Sequence, residues 1–310
     1  MGNYRPTGAF GVLLTPFGAD GKVNFEVFER EIEFLCQSDI DGLFPAATTG
    51  EFIHLSPEEN IEILKRTAKV ANKRKQMAAG ACSSNFDTTV SYMKAAADAG
   101  YDAAVICVPY YITMPQEDVY EYFKRLAREN IIDIILYNIP MFTGEISIKS
   151  FTKLLEEERI IGIKDSSAHM KRIAHLIDIK KQRRPEFSVL SGTDDCLVPA
   201  LTAGCVGSMT AFSTILPEIN AEIYKRFNSG DIKGAQELNS SYLSLIRLAD
   251  SIAFPAGYKL IMEMRGFKMG QKQIVHELGQ DSYIKLAEEM KEHLCKLLVG
   301  SVLRKENIIG

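Results

Sequence analysis

No stretch of the 310-residue chain approaches the roughly 20 apolar residues that a membrane-spanning helix needs. The first residues lack a basic segment followed by an apolar core, so no secretory leader is expected and a cytoplasmic location is. The six cysteines, Cys36, Cys82, Cys107, Cys196, Cys205 and Cys295, show neither a close metal-ligand pair nor a secreted-scaffold spacing, which fits reduced thiols. Five scattered histidines offer no dedicated zinc site. Long runs of one charge sign are missing too. With 36 basic against 40 acidic residues the formal charge is −4, which argues against a nucleic-acid surface but leaves room for a small anion held by local donors. The first apolar run is not followed by a glycine-rich dinucleotide loop, and there is no P-loop.

What is present is a 46% hydrophobic chain long enough to bury a large core. Short apolar runs recur between amphipathic, helix-length stretches: 9–14, 42–46, 77–81, 103–108, 134–137, 160–164, 187–190 and 206–209. Their hydrophobicity is continuous rather than alternating, as a parallel sheet covered on both faces demands. Eight such strands predict an α/β fold, a (β/α)8 TIM barrel with additional C-terminal helices, and an open doubly wound sheet is the alternative. Ser56-Pro57-Glu58-Glu59 reads as a capping box, with Ile61, Leu64 and Ala68 as the inward face of its helix. Gly100 and Gly204 read as left-handed helix caps leading back into strands. Beyond Met209 only helical periodicity remains, over 219–227, 232–248, 258–264 and 282–298, with breaks that include 266–279. The expected division is a barrel over 1–225 and a helical extension packed on it over 226–310.

In such a barrel the loops after the strands build the active face. That rule gathers Thr48-Thr49-Gly50-Glu51, Pro109-Tyr110-Tyr111, Tyr137-Asn138, Lys164 and Ser191-Gly192-Thr193-Asp194-Asp195 at one mouth. Lys164, ending the run Ile160-Ile161-Gly162-Ile163, can lose its proton there and attack a carbonyl, or simply reach water with its stem packed. Thr48 and Thr49 either cap local backbone or, with Gly50, form a nest of N–H groups for an anion. Tyr110 and Tyr111 can be packing aromatics, and Asp194 and Asp195 can cap the next helix. Glu51, Asp165, Asp194 and Asp195 permit an oxygen-ligand metal site, but no spacing demands one.

Taken in order and spacing, Thr48-Thr49-Gly50-Glu51, Tyr137-Asn138-Ile139-Pro140 and Gly162-Ile163-Lys164-Asp165 resemble the dihydrodipicolinate synthase and N-acetylneuraminate lyase family, from Gly8 to about Thr210. The resemblance implies a barrel that forms a lysine Schiff base with pyruvate or another small 2-oxo acid and assembles as a homotetramer. It implies Lys164 as the Schiff-base residue, Tyr137 for proton transfer, and Thr48 and Thr49 for the 2-oxo acid carboxylate, Thr49 also relaying protons. Tyr111 corresponds to a family tyrosine that reaches an active site across a subunit interface.

Synthases in the family that condense pyruvate with aspartate semialdehyde carry an arginine after Tyr-Asn-x-Pro, where this chain has Phe142. An aromatic ring does not replace a bidentate cationic clamp. The neuraminate lyases and 2-keto-3-deoxy sugar-acid aldolases have an apolar residue there, and 187–195 with 161–165 looks most similar to the 2-keto-3-deoxygluconate aldolase branch. Ser166, Gly192, Asp194, Asp195 and Ser208 are then the implied sugar contacts. Ala47 departs from the glycine usual before the two threonines.

The expected reaction is cleavage of a 2-keto-3-deoxy sugar acid to pyruvate and an aldehyde through an imine on Lys164. No nicotinamide, flavin or metal is required, because the imine itself stabilises the carbanion. Alternatives are an N-acetylneuraminate lyase, a 4-hydroxy-tetrahydrodipicolinate synthase, a sugar-acid dehydratase and a non-catalytic 2-oxo acid binding protein.

Overall fold

The computed structural model describes residues 4–270 and 280–300. Eight strands close into a parallel barrel in chain order: β1 (Gly8–Val12), β2 (Gly42–Phe44), β3 (Gln76–Gly80), β4 (Ala103–Cys107), β5 (Ile134–Asn138), β6 (Ile160–Asp165), β7 (Ser188–Ser191) and β8 (Gly207–Thr210). The seam is β8 on β1, with Gly207 opposite Gly8. Every expected run overlaps its strand, with ends displaced by a residue or two. The closed ring excludes the open doubly wound alternative.

Between the strands run α1 (Phe25–Gln37), α2 (Pro57–Ala71), α3 (Phe86–Ala99), α4 (Gln116–Arg128), α5 (Ile148–Leu154), α6 (Met170–Arg183) and α7 (Leu197–Ala203). After β8 come α8 (Phe212–Ile215), α9 (Pro217–Asn228), α10 (Ile232–Ser241), α11 (Leu243–Asp250), α12 (Ala256–Met264) and α13 (Gln280–Gly300). The capping box forms on α2, and Gly100 and Gly204 close α3 and α7 with φ of 82° and 112°. The buried residues of α2 are Asn60, Ile63, Leu64, Thr67 and Ala71, and of the expected inward face Leu64 is among them while Ile61 and Ala68 are partly buried against the same core. Asn60 turns inward because its amide donates to the Phe52 carbonyl.

The stretch 232–248, expected as one helix, breaks at Tyr242. The break turns Tyr242 fully inward, stacked on Phe212 at 5.3 Å and accepting from the Asn239 amide at 3.0 Å. Burial of a large ring with its hydroxyl satisfied outweighs one helical hydrogen bond. Most of the expected break at 266–279 lies outside the described residues.

Alternation along the strands makes two cores. Phe10, Phe44, Val105, Leu190 and Met209 fill the barrel lumen, while residues such as Leu43, Ile106, Leu136 and Val189 pack outward under the helices. The lumen is thus solid below, and only its upper end can take a ligand.

Candidate active site

Register decides what that upper end contains. Tyr137 on β5 lies opposite Lys164 on β6, which lies opposite Leu190 on β7, so all three share the inward-facing layer. One residue further, Asn138, Asp165, Ser191 and Ser208 are opposite one another in turn. A strand reverses its side-chain direction at each residue, and this layer faces outward.

The outward layer is a buried lock. Asp165 accepts from the Asn138 amide at 2.8 Å and from Arg172 Nε at 2.7 Å, while Arg172 also donates to the Ile146 carbonyl at 2.7 Å. Removing one partner of a buried charge pair costs about 3 to 5 kcal/mol, so β5, β6 and α6 are fixed firmly on either side of Lys164.

Lys164 is 3% exposed, with its ammonium 4.2 Å from the Tyr137 ring centroid and 4.9 Å from that of Phe44. Burial pushes its pKa down to about 7, against a weaker opposing pull from Cys82 and Asp194. A neutral amine is therefore available near neutral pH. The Tyr137 hydroxyl is 3.1 Å from that of Thr48, and burial raises its pKa, so it stays protonated and can give or relay a proton.

The turn from Thr48 to Glu51 sits over β2. Glu51 N donates to the Thr48 carbonyl at 3.0 Å, and Thr15 Oγ1 donates to the Gly50 carbonyl at 2.6 Å. A Cβ on Gly50 would stand 2.9 Å from the Leu13 carbonyl oxygen, so the turn admits only glycine there. The N–H groups of Thr48 and Thr49 meet no acceptor among the described residues, which leaves them free for an anion.

Ser166 and Gly192 close the other side. The Ser166 hydroxyl donates to the Gly192 carbonyl at 3.4 Å, and a Cβ on Gly192 would come within 2.9 Å of Lys164 Cε. Asp194 does not cap α7, whose N-cap is Cys196. Its Oδ2 accepts from Phe212 N at 3.4 Å, and its Oδ1 has no partner among the described residues. Burial, more than the neighbouring Asp195, pushes the Asp194 carboxyl up to about 7, against Thr210, Phe212 and Lys164. Asp195 is held instead by Arg247 on α11 at 2.6 Å.

Lys164 thus has Tyr137 on one side and Gly192 with Ser166 on another, Tyr137 reaches Thr48, and Asp194 lies within electrostatic reach of the lysine, while Thr49 follows Thr48 in the same turn. Ser208 does not join them. It belongs to the outward layer, fully buried, and accepts from the Tyr224 hydroxyl of α9 at 2.8 Å. Strand parity gives the warning, since Met209, the next residue, is the one in the lumen. Tyr111 is also outside the chain's own pocket, 99% exposed with φ of 80°. Tyr110 packs edge-on against Phe52 at 6.0 Å. Phe142 stands half-exposed at the rim, 6.2 Å from Phe254.

Sequence reasoning passed over Cys82 and Cys107, whose positions beyond β3 and at the end of β4 put them in the lumen, with Cys107 N donating to Cys82 Sγ at 3.3 Å. Of the possible oxygen ligands, Asp165 is turned away into its ion pair and Glu51 into one with Lys259. Among the described residues no three His, Cys, Asp or Glu side chains gather as a metal-binding group.

Residues 5–294 match the Dihydrodipicolinate synthetase family. The chain is 34% identical over 262 residues to a 4-hydroxy-tetrahydrodipicolinate synthase of Bartonella bacilliformis, covering 84% of this chain and 88% of that protein. It is 31% identical over 264 residues to one of Methanothrix thermoacetophila, with 85% and 88% covered. Among solved structures, dihydrodipicolinate synthase from Aquifex aeolicus superposes with a TM-score of 0.85 at 31% identity, covering 93% and 98% of the two chains. A prophage protein of the same family from E. coli K12, in complex with pyruvate, gives 0.85 at 25% identity, with 94% and 98% covered.

Proposed function

The chain belongs to the dihydrodipicolinate synthetase family, and from that premise we propose that Lys164 is the residue on which its pyruvate imine forms. The family is one of class I, pyruvate-dependent aldolases and lyases, and the chain is a lyase of this kind. The observation that carries the assignment of Lys164 is its burial beside two aromatic rings, which lets a substantial fraction of the amine be free of its proton near pH 7.

The steps follow from the pocket. Neutral Lys164 Nζ adds to C2 of the 2-oxo acid, water leaves, and the iminium draws electrons from the C3–C4 bond or, in the reverse sense, from the C3–H bond. Thr48 and Thr49 hold the carboxylate through their free N–H groups. Tyr137, hydrogen-bonded to Thr48, moves the proton of the oxygen on C4. Hydrolysis of the imine returns the amine.

Two observations bear on the second substrate, and they point to different partners. The curated relatives are 4-hydroxy-tetrahydrodipicolinate synthases, which supports condensation of pyruvate with aspartate semialdehyde and weighs against the expected cleavage of a sugar acid. Phe142 favours the sugar acid: a ring at the rim gives a semialdehyde carboxylate no cation, while Asp194 and Asp195 offer acceptors to hydroxyls. The relatives make the condensation the first reading and Phe142 keeps the cleavage as the second.

The deciding experiment assays both reactions side by side with one preparation. Condensation with the semialdehyde at higher kcat/KM supports the first reading, and cleavage of 2-keto-3-deoxygluconate or N-acetylneuraminate supports the second. Loss of water with the carbon chain intact would identify a dehydratase, and pyruvate binding without turnover a binding protein.

Tyr111 serves a neighbouring subunit in this reading. A tyrosine 99% exposed beside Ile112, itself 75% exposed, on left-handed backbone is costly unless another chain covers it, which supports self-association up to the tetramer. The division between a barrel over 1–225 and a helical extension over 226–310 then falls inside α9, with α10 to α13 as the described helices of the extension.

A further inference from the structure

Glu51 follows the two threonines in sequence yet takes no part in the chemistry above. It is 6% exposed, on left-handed backbone with φ of 57°, and its carboxylate pairs with Lys259 on α12, which is 2% exposed. Lys259 Nζ also donates to the Gly270 carbonyl at 3.2 Å and lies 4.3 Å from the Phe17 ring centroid. Beside them, fully buried Glu31 of α1 accepts from Leu14 N at 2.9 Å through one oxygen, and its other oxygen has no partner among the described residues. Burial pushes Glu31 up to about 8, so near neutral pH it is uncharged and Glu51 is the carboxylate that answers Lys259.

We propose that Glu51 and Lys259 are positioning residues: their buried ion pair clamps the Thr48–Gly50 turn to α12 and so holds its N–H groups in the shape that receives a substrate carboxylate. This rests on the reading of that turn as the seat of the 2-oxo acid. A buried ion pair seldom gains stability over apolar residues of the same size, so its value here is geometric. The turn needs such a fixture. Glu51 closes it by donating to the Thr48 carbonyl, and a β-substituted residue holds left-handed backbone only where its surroundings impose it. Thr15, in the loop after β1, fixes the turn through the Gly50 carbonyl, and Lys259 fixes it from α12.

The test compares reductive trapping with pyruvate and with hydroxyacetone, which presents the same ketone without the carboxylate. Glu51→Gln and the double variant Glu51→Gln/Lys259→Met are measured beside the unaltered protein, with thermal melting as the control for folding. The double variant leaves no unpaired buried charge and should melt near the parent temperature. The clamp predicts that the preference for pyruvate over hydroxyacetone falls about tenfold or more in both variants, with hydroxyacetone trapping nearly unchanged. A double variant that keeps the parent's preference overturns the clamp, as does an equal loss with both ketones. If the unaltered protein itself shows no preference for pyruvate, the seat of the carboxylate is wrong and the clamp falls with it.

Discussion

The ammonium of Lys164 lies 4.2 Å from the ring centroid of Tyr137, directly across the β5–β6 pairing, and the hydroxyl on that ring lies 3.1 Å from Thr48. The proposed nucleophile, proton carrier and carboxylate seat are therefore linked by two contacts. The first is set by register on the neighbouring strands β5 and β6, and the second reaches from β5 to the turn that follows β2.

The pH dependence of imine chemistry tests the burial of Lys164. With its pKa lowered to about 7, the reactive free amine grows as pH rises from 6 and is nearly complete by pH 8. Exchange of pyruvate methyl protons for deuterium, followed by NMR, should rise through about pH 7 and level off. A rate that climbs steadily to pH 10 would mean the lysine is as solvated as an ordinary one.

Replacing Tyr137 by Phe keeps the ring against Lys164 and removes only the hydroxyl. Turnover should fall about 10²- to 10⁴-fold, the usual range for a positioned proton donor, while labelling of Lys164 by pyruvate and borohydride persists. Loss of labelling together with turnover would show that the ring's packing, not its hydroxyl, was the essential part.

Phe142 touches Phe254 at the rim and gives an anionic aldehyde nothing to pair with. Phe142→Arg should raise kcat/KM for aspartate semialdehyde by about tenfold, the scale of one charge-assisted contact, and lower it for a sugar acid. The ratio of the two constants is the measurement, and an unchanged ratio would remove Phe142 as a determinant of the partner.

Glu31 makes stability depend on pH in a definite sense. Its pKa is raised from 4.5 when unfolded to about 8 when folded, so the folded state binds the extra proton between those values. The stability is fully present below about pH 4.5 and is lost as pH rises towards 8. Chemical denaturation across that window should show Glu31→Gln with a flatter profile and higher stability than the parent at pH 8. Parallel profiles would place the Glu31 carboxylate in contact with water.

The barrel was legible because strands buried on both faces leave continuous apolar runs, and because helices such as α2 carry their caps in the sequence. The placement of Lys164, Tyr137 and the two threonines at one end of the barrel was legible because strand exits concentrate there in such a fold. Ser208 was not, since a polar residue near a strand end is equally open to either face until register is known, and the structure turns it to Tyr224. The break at Tyr242 follows from a ring seeking Phe212, a contact no helical periodicity encodes. Lys259 answers Glu51 from the far end of the chain, and only the folded barrel brings them together.

The central claim is that Lys164 forms the imine. Incubation with pyruvate and borohydride, followed by peptide mass spectrometry, should locate a single reduced pyruvyl adduct on Lys164, absent when borohydride is omitted. An adduct on another lysine, or an active preparation that takes none, would contradict the account.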